Sequence, residues 1–153
     1  MIMEMMKVEV VESTHVAPSE DTPRLGLWLS NLDLIMPETH TPLVYYYPAP
    51  TSGGGEGEGF FSPERLKAAL ARALVLFYPL AGRLGVDASG RMQIDCNDGG
   101  WALFVVARAD CTGEDLFGDY RPSPEIRRML VPSGDNPCLA MFQVTHLLPV
   151  ITF

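Results

Sequence analysis

Three histidines are the side chains of this sequence best suited to proton transfer, because imidazole titrates near neutral pH. They are His15, His40 and His146. His40 directly precedes Thr41 in the stretch HTPLVYYYP and lies close to Tyr45. An imidazole gathered with two hydroxyl groups could bind a polyhydroxylated small molecule. The alternative interpretation is an exposed loop histidine beside ordinary strand aromatics.

The other candidates for chemistry have no evident partner in the sequence. His15 stands at the end of a predicted strand, before VAPSED, where a solvated loop side chain is the simpler interpretation. His146 lies in an apolar strand, and we expect a core or edge residue because no nearby carboxylate is placed to orient it. Cys96 has no basic neighbour that would lower the pKa of its thiol. These residues do not form a complete catalytic set.

The motifs of several enzyme classes are missing from the sequence. It contains no GxSxG nucleophile elbow, no HExxH, no Walker loop and no dinucleotide fingerprint. The stretch TSGGGEGEG is rich in glycine, but no Lys–Ser/Thr follows it and its two glutamates would repel a phosphate. We therefore expect no catalytic residues, no metal site and no bound cofactor.

Composition limits the class of protein further. The chain has 153 residues and a formal net charge of −8, which suits one soluble domain and argues against a nucleic-acid partner. Its three cysteines are odd in number and show no CxxC spacing, as expected of free thiols in a reducing compartment. No apolar run approaches the ~20 residues of a membrane helix, and the N-terminus lacks a signal-peptide core. We expect a cytoplasmic protein without a membrane partner.

The elements that would position these residues alternate irregularly between strands and helices, which predicts an α/β fold with a mixed sheet. The clearest is a helix capped by Ser62, begun by Pro63 and stopped by Pro79, with a predicted apolar stripe. That stripe is Leu66, Leu70, Ala73 and Phe77. Strands are predicted over Lys7–Thr14, Leu43–Tyr47, both sides of the turn DASG, Trp101–Asp110 and Cys138–His146, and short helices after Thr112 and at Pro124. The stretch LWLSNLDLIMP is expected to favour turns and caps over regular structure.

Five phrases occur in an order that is not generic: KVEVVEST, LWLSNLDLIMP, HTPLVYYY, LKAALARALVLFYPLAGRL and IDCN. From Met6 to about His146 the chain resembles the N-terminal part of plant BAHD acyltransferases, and among them the hydroxycinnamoyl-CoA:shikimate/quinate hydroxycinnamoyltransferases. FYPLAGRL is specific to that family, and LSNLDL with HTP narrows the resemblance. An unrelated small α/β domain with chance similarity is the alternative.

The resemblance implies acyl transfer from coenzyme A to an alcohol or amine, in phenylpropanoid secondary metabolism. The family fold has two domains of the chloramphenicol-acetyltransferase type, and a His-x-x-x-Asp motif supplies the general base. Here His15, His40 and His146 are followed four residues later by Ser19, Val44 and Val150. We therefore expect residues 1–153 to be a partial N-terminal domain, truncated before that motif, with an extension at 1–5 and an altered tail at 138–153.

Carried over from the family, His40, Thr41 and Tyr45 match positions that line the acceptor pocket. Leu43 stands between them where the group often has a small polar residue. This disfavours shikimate as acceptor and favours either altered specificity or relaxed constraint. The implied partners are a small-molecule acceptor and an acyl-CoA thioester, the latter as co-substrate. We expect the chain alone to be inactive. The alternative is a non-catalytic fragment that binds a full-length homologue or a small acid, with association through exposed sheet edges.

Overall fold

The computed structural model describes residues 6–48, 61–97, 99–132 and 136–148. Two three-stranded sheets carry the fold, with strand orders β1-β5-β6 and β2-β4-β3. The strands are β1 (Val8–Val16), β2 (Gly26–Trp28), β3 (Arg83–Val86), β4 (Met92–Asp95), β5 (Ala102–Thr112) and β6 (Met141–Leu148). The helices are α1 (Asn31–Leu34), α2 (Pro63–Leu76), α3 (Gly113–Phe117) and α4 (Pro124–Leu130), with a 3-10 turn at Tyr78–Ala81.

The first sheet is mixed, as the sequence predicts. Strand β5 lies in its centre, antiparallel to β1 and parallel to β6. Its residues from Ala102 to Ala107 are all buried. Phe104 and Val106 pack under α2, and Leu103 and Val105 pack with Cys138, whereas α3 and α4 cover the far end of the strand. The predicted α/β class, with a mixed sheet flanked by helices, is confirmed.

Helix α2 packs on the sheet through a stripe that differs in part from the predicted one. Leu74, only 1% exposed, packs with Val16 and Phe104, and Leu66 and Leu70 line the same cluster. Ala73 is exposed and Phe77 is 60% exposed, so their placement in the core is wrong. The buried row follows i, i+4 spacing through position 74, which turns position 73 away from the sheet.

The helix starts agree with the sequence prediction, because each depends on hydrogen bonds between near neighbours. The Ser62 hydroxyl accepts from the Arg65 amide at 3.2 Å, and Pro63 occupies the first turn of α2. Thr112 caps α3, and Ser123 caps α4, whose first residue is Pro124. The predicted strands around DASG are β3 and β4 of the second sheet.

Two other local predictions are wrong. Residues 39–48 carry no regular secondary structure, although a strand was expected over Leu43–Tyr47. Pro42 and Pro48 have no N–H group to donate to a strand ladder. Both edges of β5 are already paired, one with β1 and the other with β6. The stretch LWLSNLDLIMP was expected to favour turns and caps over regular structure, but it contributes strand β2 and helix α1. Gly26–Trp28 pair with β4, and the Ser30 side chain caps α1.

Several predictions lie outside the described residues: the extension at 1–5, the glycine-rich loop at 51–59, Asp98 and the tail beyond Leu148. Within the described part, no helix is long and apolar enough to cross a membrane. The same described residues contain no group of His, Cys, Asp and Glu able to hold a metal ion.

Candidate functional site

The 39–48 segment contains all three predicted site residues, and the fold holds it near both ends. His40 Nε2 donates to the Cys138 carbonyl oxygen at 2.7 Å. That oxygen can only accept, so Nε2 carries the proton in this contact. The peptide of Cys138 is itself ordered by the Asn136 side chain, which accepts from the Cys138 amide at 3.0 Å. His40 therefore ties the segment to the loop before β6.

The second attachment lies six residues further on, at Tyr46. Its ring stacks on Phe117 with a centroid distance of 4.6 Å and an interplanar angle of 22°. Phe117 in turn stacks on Tyr120 at 5.7 Å. The tyrosine also covers Gly113, the buried first residue of α3. Between the two attachments the segment crosses from the loop before β6 to the helix after β5.

Side-chain exposure along the segment alternates with the period of an extended chain. Leu43 and Tyr45 are each 76% exposed and Tyr47 is 62% exposed, whereas Val44 and Tyr46 are 41% and 42% exposed. Leu43 and Tyr45 are thus more exposed than Val44 and Tyr46, while Tyr47 tilts against Phe61 at a ring centroid distance of 5.0 Å. Thr41 is exposed like Tyr45, and His40 is also exposed although its Nε2 contacts the Cys138 carbonyl.

The structure therefore separates the predicted site residues. Thr41 and Tyr45 are both exposed, with the exposed Leu43 between them. This geometry does not favour His40 as a group that faces a small molecule, because its Nε2 is hydrogen-bonded to a peptide carbonyl. Its structural partner is 98 residues away in sequence, and no local pattern indicates it.

The other two histidines lie elsewhere on the first sheet. His15 belongs to β1 and stacks on Trp101 with ring centroids 3.4 Å apart, so the expected loop setting is wrong although the residue is exposed. His146 is exposed on β6, an outer strand of the described sheet, with Arg108 as its register partner. Within the described ranges no carboxylate pairs with either histidine.

A second polar cluster surrounds Arg83, and sequence reasoning missed it. The Arg83 guanidinium lies 3.9 Å from the centre of the Trp101 ring, and Nη1 donates to the carbonyls of Ala81, Gly82 and Trp101 at 2.7–2.9 Å. A cavity of about 240 Å³ is lined by Arg83, Asp95, Gly100 and Trp101. The three carbonyl contacts make Arg83 a brace between the 3-10 turn and the start of β5.

None of the three cysteines is prepared as a nucleophile. Cys96, Cys111 and Cys138 are free and buried. Burial raises the pKa of each thiol above its ordinary value, which disfavours the reactive thiolate at neutral pH. The open face of the 39–48 segment is therefore the best candidate site among the described residues, and it offers binding groups without a base or a nucleophile.

Comparison with known proteins identifies the family behind this arrangement. The profile of the Transferase family matches residues 6–148. The chain is 52% identical over 143 residues to putrescine hydroxycinnamoyltransferase 1 of Oryza sativa subsp. japonica, and 46% identical over 147 residues to shikimate O-hydroxycinnamoyltransferase of Nicotiana tabacum. These alignments cover 92% of this chain but 31% and 32% of the relatives.

The solved structure of vinorine synthase superposes with a TM-score of 0.69 at 25% identity, covering 92% of this chain and 35% of that one. The chain belongs to the Transferase family, the BAHD acyltransferases, and corresponds to an N-terminal part of that fold. The family resemblance read from the sequence is confirmed. The chain spans about a third of the length of the relatives it matches.

Proposed function

We propose that this chain forms the acceptor-binding side of a hydroxycinnamoyl acyltransferase. The observation that carries the proposal is the outward face of the 39–48 segment, where Thr41 and Tyr45 are exposed on a backbone attached to the domain through His40 and Tyr46. Two hydroxyl groups on a held backbone are suited to orienting a small acceptor. Membership of the family supplies the reaction class.

The proposed reaction moves a hydroxycinnamoyl group from coenzyme A to the acceptor. The acceptor oxygen or nitrogen attacks the thioester carbonyl, the carbon–sulfur bond breaks, and an ester or amide bond forms. A general base takes the proton from the attacking atom, and coenzyme A leaves as the thiol. In this chain Thr41 and Tyr45 would orient the acceptor, and acyl-CoA is a co-substrate rather than a resident cofactor.

The general base is the part of this chemistry that these 153 residues do not supply. None of the three histidines is followed by an aspartate four positions later. We therefore propose that the isolated chain does not turn over substrate, because loss of a general base forfeits roughly 10²–10⁴-fold in rate. A thiol-release assay with p-coumaroyl-CoA and either shikimate, quinate or putrescine tests this, and turnover above background by the purified chain would overturn it.

Leu43 bears on the class of acceptor. Its side chain is 76% exposed between Thr41 and Tyr45, so an acceptor that touches both hydroxyl groups must also cover an apolar surface. A ring carrying several hydroxyl groups would lose hydration there without a hydrogen bond in return. We propose that the acceptor differs from shikimate and has an apolar middle, a description that an aliphatic diamine meets.

Acceptor binding is tested by saturation-transfer NMR on the purified chain with shikimate and with putrescine. We expect Thr41→Val and Tyr45→Phe to weaken the signal, and Leu43→Ser to shift the preference toward shikimate. Tyr47→Phe is the matched control, since it removes a hydroxyl from the same segment two residues beyond Tyr45. Equal loss in Tyr47→Phe and Tyr45→Phe would contradict the assignment of the site.

The second candidate function is non-catalytic association with a full-length member of the family. Exposed apolar side chains in α1 and directly after it favour this association. Leu32 and Ile35 are each 76% exposed, and Met36 is 66% exposed. Outer strands β1 and β6 also present edges in the described sheet. Co-purification with a full-length relative would support this function, and a monomer that ignores such a relative would count against it. A cytoplasmic location stays a prediction from the sequence.

A further inference from the structure

The contact between Tyr46 and α3 is the feature that determines which way the 39–48 segment faces. Tyr46 is 42% exposed, yet its ring is stacked on Phe117 and covers Gly113. Tyr45 and Tyr47 on either side are 76% and 62% exposed. Tyr47 has a looser contact, a tilted one with Phe61 at a centroid distance of 5.0 Å, and Tyr45 has no ring contact within the described residues. Tyr46 is therefore the ring of the three that stacks on α3, and the alternation of an extended chain turns Tyr45 away from that contact.

Gly113 leaves the space that this ring occupies. A Cβ atom built at Gly113 would overlap the hydroxyl and ring carbons of Tyr46, so any larger residue displaces the ring. The glycine is held in place because Thr112 and Asp115 form a capping box at the start of α3. Phe117 ends the same helix and receives the other part of the ring contact. A five-residue helix thus forms a platform for a single tyrosine.

The His40 contact alone cannot orient the segment. One attachment leaves the chain free to rotate about its own axis, whereas a second attachment six residues away removes that freedom. An extended chain of this length spans roughly 20 Å, so the two contacts bracket both Thr41 and Tyr45. Within this bracket, no backbone hydrogen bond to a strand is available in the described structure to do the same work.

We propose that Gly113, Tyr46 and Phe117 are positioning residues for the acceptor face. They touch no substrate themselves, but they hold the backbone so that the hydroxyl groups of Thr41 and Tyr45 point outward together. This inference rests on the proposed function, which identifies that face as the one that binds the acceptor. The attachment itself is testable without any substrate.

The first measurement is ¹⁵N relaxation of the purified 153-residue chain. In the parent chain we expect order parameters near 0.85 for the amides around Tyr46, as in rigid backbone. Tyr46→Ala and Gly113→Ala should lower them below about 0.6 while the amides of β5 stay rigid. Tyr46→Phe keeps the stacking ring and should restore the parent values. The attachment is disproved by unchanged order parameters in Tyr46→Ala.

Gly113→Ala can also disturb α3, so its effect is separated with a double variant. If the added methyl acts only by displacing the ring, Gly113→Ala should change nothing further in a Tyr46→Ala background. A further loss of order in α3 in that background would show that the glycine serves the helix rather than the tyrosine, and would overturn its role as a positioning residue.

Acceptor binding then separates the attachment from the proposed function. Saturation-transfer NMR with putrescine and with shikimate should show at least tenfold weaker binding for Tyr46→Ala and parent-like binding for Tyr46→Phe. Tyr45→Ala is the matched control, with weakened binding but parent-like order parameters. If Tyr46→Ala makes the segment mobile but leaves binding undiminished, the attachment is supported and the proposed acceptor face is contradicted. A parent chain that binds neither compound would also contradict the acceptor face.

Discussion

The β3–β4 hairpin and the 39–48 segment are stabilised in opposite ways. In the hairpin the Asp87 carboxylate accepts from the Ser89 amide, the Ser89 hydroxyl and the Arg91 amide at 2.6–2.9 Å, all within four residues. The segment has one local bond at its start, from the Thr39 amide to the Pro37 carbonyl at 2.8 Å, and otherwise depends on residues farther away. Cys138 lies 98 residues from His40, and Phe117 lies 71 residues from Tyr46 (117 − 46). The hairpin is therefore fixed by contacts between residues close in sequence, whereas the candidate site is fixed by contacts between residues far apart in sequence.

The largest effect should come from the core that supports both regions. Leu74→Ala removes a side chain that is 1% exposed between α2 and the sheet, and should lower the free energy of unfolding by about 2–5 kcal/mol. Leu76→Ala on the same helix is the control, since Leu76 is 80% exposed and should change stability by no more than about 0.5 kcal/mol. Denaturant titration of both variants measures the difference, and equal losses would contradict the packing of α2.

A smaller effect is expected at the turn of the hairpin. Gly90 has φ +81°, a left-handed conformation, and nothing lies within 4 Å of a Cβ built there. Gly90→Ala should therefore cost about 1–2 kcal/mol of unfolding free energy through backbone strain alone. Gly90→Asn is the conservative control, because asparagine tolerates this conformation and should lose less. A neutral alanine variant would show that the turn is not held in this conformation.

The 39–48 segment should contribute less still to global stability. His40→Ala leaves the Cys138 carbonyl without its imidazole donor and should cost about 0.5–1.5 kcal/mol. The exposed His146 is the control, and its alanine variant should lie within about 0.5 kcal/mol of the parent. If His40→Ala equals His146→Ala in denaturant titration, the contact with Cys138 does not hold the segment.

The smallest effect concerns pH and the platform under Tyr46. Hydrogen bonds from the Thr112 side chain and amide hold the pKa of the Asp115 carboxyl below its usual value. The ionised form is therefore favoured by folding, and its contribution is present above about pH 4 and lost as pH falls below that. NMR signals of the Tyr46 and Phe117 rings should shift in this range. In Asp115→Asn the shift should vanish, and an identical titration there would exclude the capping box as its source.

Prediction from sequence succeeded where the deciding contacts are local. The caps at Ser62 and Thr112 were predicted, because each bonds an amide three residues away, and the start of α4 was predicted from Pro124. Strand β5 lies where the sequence predicted a strand over Trp101–Asp110. The stripe of α2 was partly wrong, since choosing between Ala73 and Leu74 requires knowing how the helix is rotated against the sheet.

The residues of the candidate site were found by type and by family resemblance, but their separate roles were not. His40, Thr41 and Tyr45 look equivalent in the sequence as groups able to hydrogen-bond. Only the fold brings Cys138 to His40 and Phe117 to Tyr46, and these contacts turn alternate side chains inward and outward. Nothing adjacent to Tyr46 distinguishes it from Tyr45 or Tyr47.

The amino-acid sequence by itself determined the mixed α/β class and the starts of α2, α3 and α4, because these depend on periodicity and on hydrogen bonds between near neighbours. It also determined the family, through the resemblance of five phrases in order. Tertiary structure alone decided that a predicted strand is an attached segment, and which of its side chains face solvent. The physical reason is that an extended chain without ladder partners has no preferred rotation of its own. Its orientation is set by whatever the rest of the fold places against it.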